Sequence, residues 1–365
     1  MKNDYSLNFD TKVIFGCAKR AQLHNELECF ERKMLICGKH FAKSRFCKEL
    51  FEGRNDYIVH VCESSEPSLA MVQQALDAAR ANNVQSVVAV GGGSVMDIGK
   101  SVAALVLQKG NIRDYFYNRL EFESERLFFA ALPTTAGTGA EVTPNAVLTD
   151  ETNNIKQSLR GRVCGVDLAI VDPELTYDCP VEIVRQSGMD SLTQAIEGAI
   201  SNKANHATFA WSMQAFKLVF DNLQAACSGD KAAKNCVAEG TMLGAMAFTY
   251  SGLGAVHGLA HPIGSICHLP HGLVCGILLP HILKINSSFL AEAAKNYYGT
   301  DGDSCRLIND IEKLAAALEI PENFKGYLTR EHFDFIVRNC RSGSMKCNPV
   351  QLSDAEIYEL LERLI

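Results

Sequence analysis

The first half of the chain alternates two kinds of apolar pattern. MLIC (34–37), YIVHV (57–61), SVVAV (86–90) and FFAAL (128–132) are short continuous apolar runs, the length and composition of buried strands. Between them lie longer segments with apolar positions at helical spacing. SEPSLAMVQQALDAARANN predicts a helix, with Ser65 placed to cap it and Pro67 in its first turn. VMDIGKSVAALVLQKG predicts another, ending at Gly110. NAVLTD and LAIVD (168–172) are two further short apolar segments. Strands alternating with helices imply a mostly parallel sheet covered on both faces.

From about Val181 the pattern changes. The stretches Thr208 to Ala226, Ala232 to Tyr250, 272–284, 304–318 and 353–364 are helix-periodic, and no strand is evident. The shift near 178–181, punctuated by Pro180, divides the chain into an α/β domain (1–178) and an all-α domain (179–365). RNCRSGSMKCNPV (338–350) reads as a loop.

The 365 residues carry 47% hydrophobic and 21% charged side chains, the balance of a globular protein with a full core. A net charge of -7, with Lys and Arg scattered, argues against nucleic-acid or anionic-membrane partners. No apolar run is long enough to span a bilayer, and MKNDYSLNFDTKVIF has no signal-peptide centre, so a cytoplasmic protein is expected. The 14 cysteines form no CxxC, and most, such as Cys37 and Cys275, sit in apolar surroundings. They read as small buried hydrophobes rather than a disulfide framework.

Two loops change the picture. GGGSVMDIGK (91–100) follows a strand and opens a helix, where backbone N–H groups can receive a phosphate. It is not the G-x-G-x-x-G fingerprint, and a tight turn alone would also explain a Gly triplet. PTTAGTGAE (133–141) is a second loop of the same kind after another strand. Together they place a nucleotide or dinucleotide site at one edge of the sheet.

GMDSLTQAIEGAI puts Asp190 and Gln194 on one helical face, and AVHGLAHPIGSICHLPHG carries His257, His261, His268 and His271. Asp190, His257 and His271 are types a divalent metal accepts. Their spacing alone does not separate a metal site from histidines satisfied by ordinary hydrogen bonds.

GGGSVMDIGK, PTTAGTGAE, GMDSLTQAIE and HGLAHPIG…LPHG, in this order, resemble the iron-containing (group III) alcohol dehydrogenases, and the resemblance covers nearly the whole chain. It implies a Rossmann-like N-terminal dinucleotide-binding domain, a helical C-terminal domain of dehydroquinate-synthase-like architecture, and an active site in the cleft between them. It implies hydride transfer between NAD(P)(H) and a small alcohol, aldehyde or ketone, with one divalent metal, Fe2+ or Zn2+. Carried over by position, the metal ligands would be Asp190, residue 194, His257 and His271, with His261 near the substrate on a proton path. Gly92, Gly93, Ser94 and Asp97 would hold the pyrophosphate. Thr134, Thr135 and Thr138 would line the dinucleotide, and Asn145 and Lys156 would lie near the nicotinamide ribose. The family also implies a homodimer formed through an N-terminal strand, here Lys12–Phe15.

Two positions depart from the family. Position 194 is normally histidine and here is Gln194. Three outcomes stay open: Gln194 ligates through its oxygen, the metal is held by Asp190, His257 and His271 with water, or the site is metal-free as in maleylacetate reductases. A lyase of the dehydroquinate synthase type is the other alternative, though the helical half shows no basic cluster for its substrate. The second departure is Gly38, where NAD-preferring members carry an Asp. With no carboxylate there and Lys39 and Lys43 close in sequence, NADP is favoured over NAD.

Overall fold

The computed structural model describes residues 4–63, 66–123, 125–153 and 155–365. The chain divides into two compact units. One comprises 8–135 and 139–179, the other 4–7, 136–138 and 180–365.

The first unit is built on a six-stranded sheet. Its strands are β1 (Lys12–Phe15), β2 (Lys33–Gly38), β3 (Tyr57–Cys62), β4 (Ser86–Gly91), β5 (Phe128–Pro133) and, after a ribbon described below, β8 (Leu168–Val171). Their order is β1-β8-β5-β4-β2-β3, and every neighbouring pair is parallel. The central strands are buried along nearly their whole length, which is why they read as continuous apolar runs. At the edge, β3 alternates, with Val59 and Val61 exposed. The chain steps outward from β2 to β3, returns past β2 to β4, and then builds away towards β5. The winding therefore reverses between β2 and β4, the place where open α/β sheets bind ligands beyond the strands' C-terminal ends.

Helix α1 (Leu69–Ala81) starts later than the sequence suggests. Ser65 lies outside the described residues, and the cap is Ser68, whose hydroxyl accepts from the Met71 N–H at 3.3 Å. Helix α2 (Gly93–Leu105) stops short of Gly110. The Arg80 guanidinium donates to the carbonyls of Leu105, Val106, Gln108 and Gly110, so these groups are satisfied without continuing the helix. NAVLTD forms β6 (Asn145–Asp150), outside the main sheet, in an antiparallel ribbon with β7 (Ile155–Arg160).

The second unit is helical, and no strand occurs among its described residues. Its main helices are α3 (Val181–Ile200), α4 (His206–Cys227), α5 (Lys231–Ser251), α6 (Ala255–Cys267), α7 (His271–Ile285), α8 (Ser304–Ala317) and α9 (Asp354–Arg363). From Gly188 to Ile200, α3 is buried on every side, the central helix of the unit. The segment 338–350 is not simply a loop. The preceding helix runs to Asn339, and Ser342 caps a short helix, Gly343–Cys347, by accepting from the Met345 N–H. No helix of the described residues is long and apolar enough to cross a membrane.

Candidate functional site

Three helices of the second unit bring four donor atoms together. Asp190 projects from α3, His257 from α6, and His271 and Cys275 from successive turns of α7. One ligand atom from each lies within 4.8 Å of all the others. Asp190 Oδ1 is 3.1 Å from His257 Nε2 and 3.8 Å from His271 Nε2, and His271 Nε2 is 3.6 Å from Cys275 Sγ. Tetrahedral coordination with bonds of about 2.0–2.3 Å gives ligand–ligand edges of roughly 3.3–3.8 Å, so the separations match one ion.

A glycine makes this approach possible. A Cβ on Gly272 would stand 2.1 Å from the carbonyl oxygen of Gln186, so α7 meets the backbone of α3 where only hydrogen fits. His271, the first residue of α7, thereby reaches Asp190.

Glu197, two turns along α3 from Asp190, holds the other side of His257. Its Oε2 accepts from His257 Nδ1 at 2.7 Å and the Gly254 N–H at 2.9 Å, and its Oε1 accepts from the Val256 N–H at 2.7 Å. With Nδ1–H committed to this carboxylate, Nε2 faces Asp190, the orientation a metal-ligating histidine takes. Burial opposes protonation of His257. The carboxylates of Asp190 and Glu197 outweigh it and raise the imidazole to about 10. Burial likewise pushes the Asp190 carboxyl up, and His271 and His257 overcome it, holding the group below its ordinary value. The Cys275 thiol, fully buried and donating to Asp190, is raised well above its ordinary value by burial and by the Asp190 and Glu197 charges. A divalent cation reverses this balance, taking the place of the proton and binding the thiol as thiolate. One carboxylate, two imidazoles and a thiol in a buried pocket therefore fit a metal.

Gln194 is 4% exposed, and its Oε1 is buried with no hydrogen-bond partner. Such an orphan acceptor costs about 1–3 kcal/mol unless something donates to it or binds it. His261 is exposed at the edge of the cluster, its ring stacked on His271 with centroids 5.1 Å apart.

The nucleotide loops lie in the first unit. A Cβ on Gly91 would stand 2.6 Å from Val95 Cβ, so the turn from β4 into α2 needs glycine. Gly92 is the N-cap, and Gly93 and Ser94 open the helix, leaving N–H groups for an anion. The neighbouring loop is tied on by the Thr134 N–H, which donates to Gly91 O at 2.9 Å, and Thr135 flanks Gly92. Thr138 falls within the helical unit. Asp97, half-buried on α2, has its carboxyl pushed up to about 7 by burial, against the opposing charge of Lys100. Lys100 is wholly buried, and its Nζ donates to Thr143 O, Thr143 Oγ1 and Asn145 O. It thus clamps the start of β6, where Asn145 sits. Lys156, on β7, pairs with Glu66 at 2.7 Å. Gly38 ends β2, beside β4, and exposed Lys39 and Lys43 follow it.

A family model described as iron-containing alcohol dehydrogenase matches residues 10–173, and the C-terminal model of the same family matches 184–365. The chain belongs to the iron-containing alcohol dehydrogenase family. It is 36% identical over 322 residues to 1-propanol dehydrogenase PduQ of Salmonella typhimurium, covering 82% of this chain and 83% of that one. It is 32% identical over 280 residues to Alcohol dehydrogenase 4 of Schizosaccharomyces pombe, covering 74% and 66%. Among solved structures, sulfoacetaldehyde reductase from Bifidobacterium kashiwanohense in complex with NAD+ superposes with a TM-score of 0.94 and 28% identity, covering 100% and 99%. Like its relatives in the iron-containing alcohol dehydrogenase family, this chain is an NAD-linked alcohol dehydrogenase or aldehyde reductase.

Three residues of the site escaped sequence reasoning. Glu197 lies seven residues after Asp190 and Cys275 four after His271, so each shares a helical face with a named candidate. Helical spacing was the available signal. Lys100 closes the quoted GGGSVMDIGK stretch, but nothing in the sequence marks it as buried.

Proposed function

We propose that the protein is a metal-dependent aldehyde reductase and alcohol dehydrogenase for small substrates, with NADP(H) favoured over NAD(H). The observation that carries this reading is the convergence of Asp190, His257 and His271, with His257 held in the ligating orientation by Glu197. These three residues hold Fe2+ or Zn2+. When bound, the metal polarises the carbonyl or hydroxyl oxygen, and the nicotinamide carries the hydride.

The chain's own residues bind and orient. Gly92, Gly93 and Ser94 receive the pyrophosphate at the start of α2, with Asp97 one turn on. Thr134, Thr135 and Thr138 line the dinucleotide, and Asn145 and Lys156 take the nicotinamide ribose. With no carboxylate at Gly38, Lys39 and Lys43 are left to attract a 2′-phosphate. His261, exposed and stacked on His271, passes a proton between the substrate oxygen and solvent. Gln194 offers its buried oxygen as an acceptor beside Asp190. We assign the protein to the cytoplasm as a homodimer paired through β1, which stands at the sheet edge.

The test is NADPH and NADH oxidation with short aldehydes by protein loaded with iron or zinc. Turnover favouring NADPH is expected, with metal and most activity lost in His257→Ala and in His271→Ala. Full activity in either variant refutes the ligand assignment, and equal or better use of NADH refutes the cofactor preference.

A further inference from the structure

Position 194 has lost the imidazole that the family resemblance expects, and the helix facing it carries a thiol in the same cluster. From this juxtaposition we infer that Cys275 is the fourth protein ligand of the metal, replacing residue 194 and giving an Asp190–His257–His271–Cys275 site. The inference rests on the metal-dependent reading above.

The geometry supports it from several sides. Cys275 Sγ is within 4.8 Å of the Asp190, His257 and His271 ligand atoms, and its 3.6 Å separation from His271 Nε2 is a normal ligand–ligand edge. Cys275 follows His271 by one turn of α7, the spacing at which two side chains of one helix reach a single ion. The side chain is 0% exposed, so solvent does not compete for it. Gln194 offers only a neutral amide oxygen, and a thiolate is a far stronger donor to zinc, cobalt or ferrous iron. Coordination takes the thiol as thiolate and releases its proton to solvent. A soft sulfur in the set also turns the site towards zinc and away from magnesium, calcium or manganese.

Cobalt(II) substitution reads the sulfur directly and does not depend on turnover. Full-length protein is stripped with a chelator, reloaded with one equivalent of cobalt(II), and its absorption spectrum recorded. A near-ultraviolet thiolate-to-cobalt charge-transfer band is expected, beside visible bands of tetrahedral intensity. Cys275→Ser and Cys275→Ala should lose the charge-transfer band and bind zinc at least about 100-fold more weakly, since even supporting residues outside the ligand set are worth 10–100-fold. Gln194→Ala should keep the band. Circular dichroism of the stripped proteins identifies any variant that has not folded, and the wild-type spectrum stands without them. Visible cobalt bands with no charge-transfer band, or a band that survives Cys275→Ser, overturns the assignment while leaving the metal-dependent reading intact. Metal lost from Gln194→Ala but retained by Cys275→Ser also overturns it, in favour of Gln194. If wild-type protein binds no cobalt, zinc or iron, the metal-dependent reading fails and the assignment fails with it.

Discussion

Glu197→Gln is the most searching change to make at the metal cluster, because it removes a charge and reverses one donor with almost no change in volume. The carboxylate accepts three hydrogen bonds: His257 Nδ1 at 2.7 Å and the Gly254 N–H at 2.9 Å on Oε2, and the Val256 N–H at 2.7 Å on Oε1. An amide has one accepting end. If its NH2 group faces Val256, one N–H opposes another. If it faces the other way, both Gly254 N–H and His257 Nδ1–H are opposed. The first orientation is the milder, and it still breaks one hydrogen bond to a charged acceptor in a buried site, worth about 1.5–3 kcal/mol. His257 is left with a neutral partner, so its Nε2 becomes a poorer ligand. Residues in this supporting position are worth roughly 10–100-fold in metal affinity, or about 1.4–2.7 kcal/mol. The assay is competition for zinc against a chromophoric chelator at fixed pH, with thermal unfolding of the metal-free protein as the stability control. The expected result is weaker zinc binding by that factor and a lower melting temperature. Zinc affinity within about twofold of wild type would refute the claim that Glu197 sets the orientation and basicity of His257.

Two further changes probe the frame. Gly272→Ala places a methyl 2.1 Å from Gln186 O, which forces α7 away from α3. It should cost about 1–3 kcal/mol in urea unfolding and weaken zinc binding by separating His271 from Asp190, and wild-type behaviour in both would refute the close-contact argument. Glu141, 4% exposed in the PTTAGTGAE loop, has its carboxyl raised by burial from 4.5 to about 7, against the charge of Lys100. Between those pH values the unfolded chain gives up a proton that the folded chain keeps, so Glu141 costs stability progressively as pH rises, up to about 3 kcal/mol above pH 7. Glu141→Gln should therefore be more stable than wild type at pH 8 and nearly equal to it near pH 4.5, and an equal difference at both in urea unfolding would refute the assignment.

What the sequence disclosed follows from where burial leaves a one-dimensional trace. β2, β4, β5 and β8 are covered on both faces, so they appear as unbroken apolar runs, and the α/β and helical halves separate cleanly. β7 is different: IKQSLR is held by its pairing with β6, and no periodicity announces it. The end of α2 is set by Arg80, a residue of another helix, so no local signal near Gly110 places it. The metal cluster divides along the same line. Asp190, His257 and His271 are of types whose role their chemistry suggests. Cys275 sits in GLVCGILL, where a buried ligand and a buried hydrophobe have the same surroundings, and Glu197 and Lys100 are charges that read as solvated until the fold buries them. Gln194 taken alone reads as a damaged ligand set, because a sequence is judged position by position against an expected pattern. A metal requires only that enough donor atoms lie at bonding distance, from whichever helices deliver them. In this fold the loss on α3 and the thiol on α7 fall within the same few ångströms, so the substitution at 194 is better understood as a change in the kind of metal site than as its decay.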